Sequence, residues 1–181
     1  MYHDCLLDAQ RRGVSWVLLN DVDEYMTILE HNTTVFDILE PYEQMDDVGA
    51  VSARNWFFGS LSLDDDEFDK SKPRLLLRDF VYRDAEPGPE NQRSKMFVKP
   101  NHNTYVMVHK VAIGNETIQL DPYKTMRSSH FKHTGECQRS VRDTFLRDAF
   151  AEKLEARLAK VYHPAEPSQF YPEHYGSCPS S

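Results

Sequence analysis

Only 3 cysteines occur in the 181 residues, Cys5, Cys137 and Cys178. Their wide spacing fits neither a CxxC zinc pattern nor a dense disulfide framework, and leaves room for one pair and a free thiol. No apolar run approaches the ~20 residues that a membrane helix requires. The opening MYHDCLLDAQRRG carries charges where a signal peptide has its apolar stretch, so the chain as read neither spans a membrane nor addresses itself to one. Basic residues are also short: 21 Lys and Arg stand against 29 Asp and Glu, for a formal charge of -8. Broad contact with a nucleic-acid backbone is thereby excluded. What is present, 40% hydrophobic and 12% aromatic residues with 28% charged, is the composition of an ordinary globular chain. At ~150 residues per domain its length predicts one domain or a little more.

The acidic excess is concentrated. Between Asp21 and Glu90 there are 18 acidic and 6 basic residues, so the middle of the chain is suited to holding cations. A short helix is predicted from His3-Asp4 to Gly13, and Trp16-Val17-Leu18-Leu19 reads as a strand buried on both faces of a mostly parallel sheet. Thr33 or Thr34 is placed to cap a second helix carrying Val35, Phe36, Ile38 and Leu39, which Pro41 should end. Strands are expected over Val48–Ala53, Leu75–Tyr82, Lys95–Lys99 and Thr104–Val108. Gly59 to Pro73, including the acidic run Asp64-Asp65-Asp66-Glu67, reads as a solvated loop without the spacing of a calcium-binding EF-hand. Val141, Phe145, Phe150, Leu154, Leu158 and Val161 recur at helical spacing, which predicts one amphipathic helix over Arg139–Val161 packed on the sheet. Residues 1–163 are read as one domain, and the Pro- and Ser-rich residues 164–181 as a loosely held tail. Sequons stand at Asn32-Thr33-Thr34 and Asn115-Glu116-Thr117, glycan acceptors only in the secretory pathway. No internal repeat is present.

Chemistry is concentrated where the apolar strand ends, at Asn20-Asp21-Val22-Asp23-Glu24. In a parallel sheet, ligands bind at the carboxyl ends of strands, and residues i and i+2 of an extended segment point the same way. Asp21 and Asp23 then face one site, where two like charges call for a hard divalent cation such as Mn²⁺ or Mg²⁺. The same three letters also mark ordinary strand ends. Lys95 and Lys99 read either as phosphate contacts or as the alternating face of an exposed strand edge. Trp56 is core or cleft wall, and a histidine ending a strand, such as His109, is commonly structural.

Taken with its surroundings, Trp16-Val17-Leu18-Leu19-Asn20-Asp21-Val22-Asp23-Glu24-Tyr25 resembles the W-apolar-D-x-D-E-F/Y segment of glycosyltransferase family 92, a family with a GT-A fold. Asp4-Cys5-Leu6, Asn55-Trp56-Phe57-Phe58-Gly59, Ser94-Lys95-Met96-Phe97-Val98-Lys99-Pro100 with Val106-Met107-Val108-His109, and Ser129-His130-Phe131 are similar to further blocks of the family, in its order. The resemblance implies an α/β fold, a partial GT-A-like mixed, mostly parallel sheet with flanking helices and a C-terminal amphipathic helix. It also implies transfer of a hexose from a nucleotide-sugar donor to a hydroxyl of a glycan or glycoprotein, assisted by Mn²⁺ or Mg²⁺. Asp21, Asp23 and Glu24 would bind the donor; Asp21, Asp23 and His130 would hold the metal; Trp56 and His109 would line the acceptor cleft. Full-length members are commonly anchored in the Golgi membrane. Here the match begins at Asp4, so the chain is expected to lack the strands that cradle the donor's base and the segment that carries an anchor. Phe131 and Lys132 stand where the family has Tyr and a basic residue, which removes any contact through a phenol. No catalytic base is assignable, with Asp79 and Asp84 candidates by position only.

Two other classes compete. Haloacid-dehalogenase-type phosphatases also end an apolar strand in D-x-D, with the first acid as nucleophile; Tyr25 stands where that pattern wants Thr or Val. A non-catalytic relative would keep the sheet and bind a glycan or a partner. Manganese-dependent hydrolysis of a nucleotide sugar singles out the transferase.

Overall fold

The computed structural model describes residues 2–59, 76–90, 92–107, 109–131 and 140–161. In chain order its elements are α1 (Tyr2–Arg11), β1 (Val17–Leu19), β2 (Glu24–Ile28), α2 (Val35–Glu43), β3 (Val48–Ala53), β4 (Asn55–Gly59), α3 (Leu76–Asp79) and β5 (Tyr82–Asp84). There follow β6 (Lys95–Val98), a 3-10 turn (Pro100–His102), β7 (Asn103–Met107), β8 (Lys110–Gly114), β9 (Glu116–Gln119), β10 (Met126–Phe131), β11 (Ser140–Arg142), a π-helical turn (Arg147–Ala151) and α4 (Glu152–Val161). They form two compact units. The first comprises described residues up to Trp56 and from Glu86 to His130; the second comprises those of Phe57–Ala85 and those from Phe131 onward.

The first unit is built on a four-stranded sheet in the order β1-β6-β3-β9. β6 runs antiparallel to both β1 and β3, and β3 runs parallel to β9. Central strands are shielded on both faces, and every residue of β3 and β6 is buried. Val51, Ala53 and Phe97 pack with Ile38 and Leu39 of α2, with Leu120 and Met126 closing that cluster. Ala50, Met96 and Val98 pack with Leu6 of α1, Leu19 and Val106 of the β7–β8 hairpin. Each such side chain contributes on the order of 1.5–3 kcal/mol by leaving water. β2 pairs antiparallel with β10, which sets Glu24 opposite His130.

The mixed α/β class is as expected, but the mostly parallel sheet is not: antiparallel pairing dominates the described strands. β1 is an edge strand with the Leu18 side chain 40% exposed, not a strand buried on both faces. Thr34 caps α2 with a reciprocal bond pair, its hydroxyl accepting from the Asp37 N–H at 3.3 Å and Asp37 Oδ2 accepting from the Thr34 N–H at 2.7 Å. The helix passes through Pro41 to Glu43, because so near the end the proline removes only one bond of the ladder.

In the second unit Phe58 and Gly59 of β4 pair with Arg83 and Tyr82 of β5, which pairs with β11. The Phe58 and Phe131 rings stack with centroids 5.1 Å apart. Arg83 donates to Asp143 at 2.7 Å, and Arg78 to Glu155 at 2.8 Å, tying α3 to α4. The expected strand over Leu75–Tyr82 is instead the helical turn α3 followed by β5, and the expected single helix over Arg139–Val161 is divided into β11, the π-helical turn and α4. The long loop from Ser60 and the tail from 164 fall outside the described residues. No helix among the described residues is long and apolar enough to cross a membrane.

Asn103 locks the hairpin to the sheet by donating to the carbonyls of Gly49 at 2.6 Å and Lys99 at 2.9 Å. A Cβ on Gly114 would overlap the Asn103 side-chain oxygen, and a Cβ on Gly49 would approach it to 2.6 Å. Gly114→Ala is therefore expected to destabilise the first unit by about 1–3 kcal/mol, the usual range for overpacking, read as a lowered urea midpoint. An unchanged midpoint would show that Asn103 moves aside without loss.

Candidate functional site

Past Leu19 the backbone leaves the sheet and turns. The Asn20 amide donates to the carbonyls of Asp21 at 3.1 Å and Glu24 at 2.8 Å, while the Glu24 N–H donates to the Asp21 carbonyl at 3.3 Å. The Asp21 N–H donates to Glu24 Oε2 at 3.3 Å, so the carboxylate of Glu24 closes the turn it belongs to. This corrects the expectation of an extended segment with Asp21 and Asp23 facing one way. The turn sends them to different partners, with Val22 fully exposed between them.

Asp21 goes to Lys95. The Lys95 side chain is 0% exposed, and its ammonium donates to Asp21 Oδ2 at 2.6 Å and to Glu24 Oε2 at 2.8 Å. It is not the solvent-facing edge residue that alternation predicts, nor is its ammonium open to a phosphate, because β6 lies between β1 and β3 and all its residues are buried. Burial opposes the charged ammonium, but hydrogen bonds to Asp21 and Glu24 outweigh it and raise the lysine pKa.

Asp23 goes to His130, whose Nε2 lies 3.3 Å from Asp23 Oδ2 and whose Nδ1 lies 3.1 Å from Glu24 Oε1. The pairing of β2 with β10 creates this approach, since it sets His130 across from Glu24. Glu24 is thus the shared centre. Burial disfavours its charge, yet bonds from His130 and Lys95 and the lysine's charge prevail and hold its pKa at about 2. The Asn55 amide also donates to Glu24 Oε1 at 3.0 Å and to the Arg93 carbonyl at 3.1 Å.

These bonds fix the imidazole's role. Glu24 as carboxylate only accepts, and the two amide protons of Asn55 already go to Glu24 and the Arg93 carbonyl, so His130 Nδ1 carries the proton and directs it to Glu24. In the neutral ring Nε2 then presents a lone pair to the Asp23 carboxylate. Two acceptors facing at that distance repel unless a cation joins them, either a proton on the ring or a metal ion. A histidine oriented by a carboxylate on its other nitrogen is the usual form of a metal ligand, and an oxygen–nitrogen donor pair suits Mn²⁺. The residues therefore fit a divalent cation at Asp23 and His130. Among the described residues no group of three His, Cys, Asp or Glu converges to hold a metal, so substrate oxygens and water would complete the coordination, the common arrangement for Mg²⁺-type sites.

The other candidates are not bonded into this cluster, although His109 feels the charges of Lys95, Glu24 and Asp21. His109 is half-buried; burial first, and the Lys95 charge second, lower its pKa, a backbone bond to Ser94 partly countering them. Its Nδ1 is buried without a hydrogen-bond partner among the described residues. Trp56 is 1% exposed, so its faces are covered by protein, which corrects its reading as a cleft wall. The aromatic beside it that meets solvent is Tyr123, 56% exposed, edge-on to the indole at 5.4 Å and donating its hydroxyl to Glu86. Asp79 ends α3 and Asp84 lies on β5 opposite Ser140, both in the second unit. Lys95 and Asn55 stand in blocks the sequence reading quotes, but neither is joined there to the acidic turn. A lone lysine in an otherwise apolar strand was the available signal for the first.

The family model for Glycosyltransferase family 92 matches residues 1–160, which include every residue of this cluster. A search of curated proteins finds no match.

Proposed function

The chain belongs to glycosyltransferase family 92, and from that premise we propose that it transfers a hexose from a nucleotide-sugar donor to a hydroxyl of a glycan, with a divalent cation held at the acidic turn. The observation that carries this reading is the confrontation of Asp23 Oδ2 with His130 Nε2 at 3.3 Å. When bound there, Mn²⁺ or Mg²⁺ would supply the positive charge that a departing diphosphate requires. Asp23 and His130 would hold the cation, while Asp21 is paired with Lys95. Glu24 fixes the histidine's tautomer and orientation. Asn55 and Lys95 keep Glu24 ionised and in place. Such preorganisation spares the reaction the cost of orienting these groups anew.

For the acceptor, the aromatic face open to a sugar ring is that of Tyr123 rather than Trp56. Its ring stands perpendicular to the indole and its hydroxyl donates to Glu86. We place the reaction in the secretory pathway, in the Golgi; the exposed sequon asparagines Asn32 and Asn115 are consistent with that compartment.

Hydrolysis or transfer from a panel of uridine and guanosine diphosphate hexoses, with and without Mn²⁺, tests the reading. Asp23→Asn should lower the metal-dependent rate by roughly 100-fold, the upper range for disturbing a metal's immediate surroundings. A folded Asp23→Asn variant with wild-type metal-dependent turnover would overturn the site.

A further inference from the structure

Resting on the metal-assisted reading above, we propose that Lys95 is a positioning residue: its buried ammonium clamps Asp21 and Glu24, withholding Asp21 from the cation and leaving Asp23 and His130 to face it. Lys95 does not meet the donor. Its side chain is 0% exposed and its ammonium is turned inward onto two carboxylates at 2.6 and 2.8 Å. Its backbone is fixed as well, because β6 is hydrogen-bonded to strands on both sides and Lys95 stands in register with Ala53 of β3.

Three consequences follow from charge and distance. First, Asp21 Oδ2 is already occupied by an ammonium. A divalent ion bound to the same oxygen at ~2.1 Å would lie within ~5 Å of that ammonium and be repelled by it. Among the described residues Asp23 meets no ammonium: its partner is His130, itself a suitable ligand. Second, Glu24 passes the lysine's hold onward. One of its oxygens takes Lys95 and the other takes His130 Nδ1, so a single rigid carboxylate fixes both the turn and the imidazole. Third, Lys95 offsets one of the three acidic charges gathered at Asp21, Asp23 and Glu24, so the turn can fold before any cation arrives.

Mn²⁺ binding by the full chain, followed by calorimetry alongside donor-hydrolysis kinetics, tests the assignment. Asp21→Asn should bind Mn²⁺ within about 3-fold of wild type, while Asp23→Asn should bind at least ~10-fold more weakly, the loss of roughly one pKa-unit equivalent of interaction. Lys95→Met, where it folds, should bind Mn²⁺ at least as tightly as wild type, because it frees Asp21 and removes a positive charge. Its kcat should nevertheless fall at least ~10-fold with little change in donor KM, the loss of positioning without loss of binding. A lysine that served stability alone would lose metal affinity and turnover together. Equal losses of Mn²⁺ affinity in folded Asp21→Asn and Asp23→Asn variants would overturn the proposal whether or not Lys95→Met folds. Wild-type protein that does not bind Mn²⁺ would overturn the metal reading instead. The clamp is then decided by urea unfolding of Lys95→Arg, Asp21→Asn and their double variant: non-additive losses support it, additive losses overturn it.

Discussion

Glu24→Gln is expected to destabilise the first unit by about 3–5 kcal/mol at neutral pH, the range for removing one partner of a buried ion pair. Glu24 is buried and receives four donors, from Lys95, His130, Asn55 and the Asp21 N–H. A glutamine of the same shape offers one acceptor and two donors, so at least one of those bonds becomes donor against donor, and the Lys95 charge keeps only Asp21. The wild-type pH profile follows from the same carboxylate. Its pKa is about 2 in the folded chain against an ordinary 4.5. A group with a depressed folded pKa stabilises fully above its unfolded pKa, and that contribution disappears as pH falls through the folded value. Glu24 should therefore supply about 3 kcal/mol above pH ~4.5 that is lost progressively down to pH ~2. The carboxyls of Asp4, Asp37 and Asp148 are lowered too, but they act alike in both proteins and cancel from the difference. Trp16 and Trp56 both lie in the first unit, so tryptophan fluorescence in urea reports the unit that holds the site. Stability profiles of wild type and Glu24→Gln that run parallel from pH 7 to pH 3 would show that Glu24 is not the titrating group.

The failures of sequence reading in this chain have physical causes. Trp16 to Leu19 is apolar throughout, and an apolar run does not say whether its strand is parallel or antiparallel, central or at an edge; Leu18 is apolar and still 40% exposed. Alternation in Lys95 to Lys99 suggested one wet face, yet both faces of β6 are covered. The groups that make a buried Lys95 tolerable lie more than seventy positions earlier, at Asp21 and Glu24, beyond the reach of any local pattern. In the same way Ser140–Arg142 has helical spacing but pairs with β5, where Arg83 binds Asp143: a tertiary contact overrode a local period. By contrast, the capping box at Thr34 and the stop at Gly13, with its φ of 67°, are local devices and were legible locally. The acidic turn itself was found from its residues. That His130 lies beside Asp23 was suggested by resemblance, since nothing in the spacing of residues 23 and 130 brings them together.

Trp56→Ala is expected to cost about 3–5 kcal/mol of stability, the range for emptying a buried aromatic site, and Trp56→Phe distinctly less. The indole is 1% exposed and packs perpendicular to the Tyr123 ring, so its role is volume in the core of the first unit. It also stands next to Asn55, whose amide holds Glu24, so a collapsing cavity would disturb the acidic cluster through one residue of backbone. Stability and turnover are therefore expected to fall together in Trp56→Ala, whereas Trp56→Phe, which refills most of the space, should leave the acceptor KM unchanged. Tyr123→Ala reverses this pattern. Removing an exposed ring leaves little cavity, so stability should hold, while the KM for a glycan acceptor rises roughly 3- to 10-fold, the worth of one aromatic face against a sugar beyond simple area. Donor hydrolysis in the absence of acceptor should be untouched, because the Tyr123 hydroxyl goes to Glu86 and its bond to Asp121 is made by the backbone N–H, which alanine keeps. Urea midpoints and acceptor titrations of the three variants decide the matter. A folded Trp56→Phe that raises acceptor KM as much as Tyr123→Ala would return the buried indole to the sugar site.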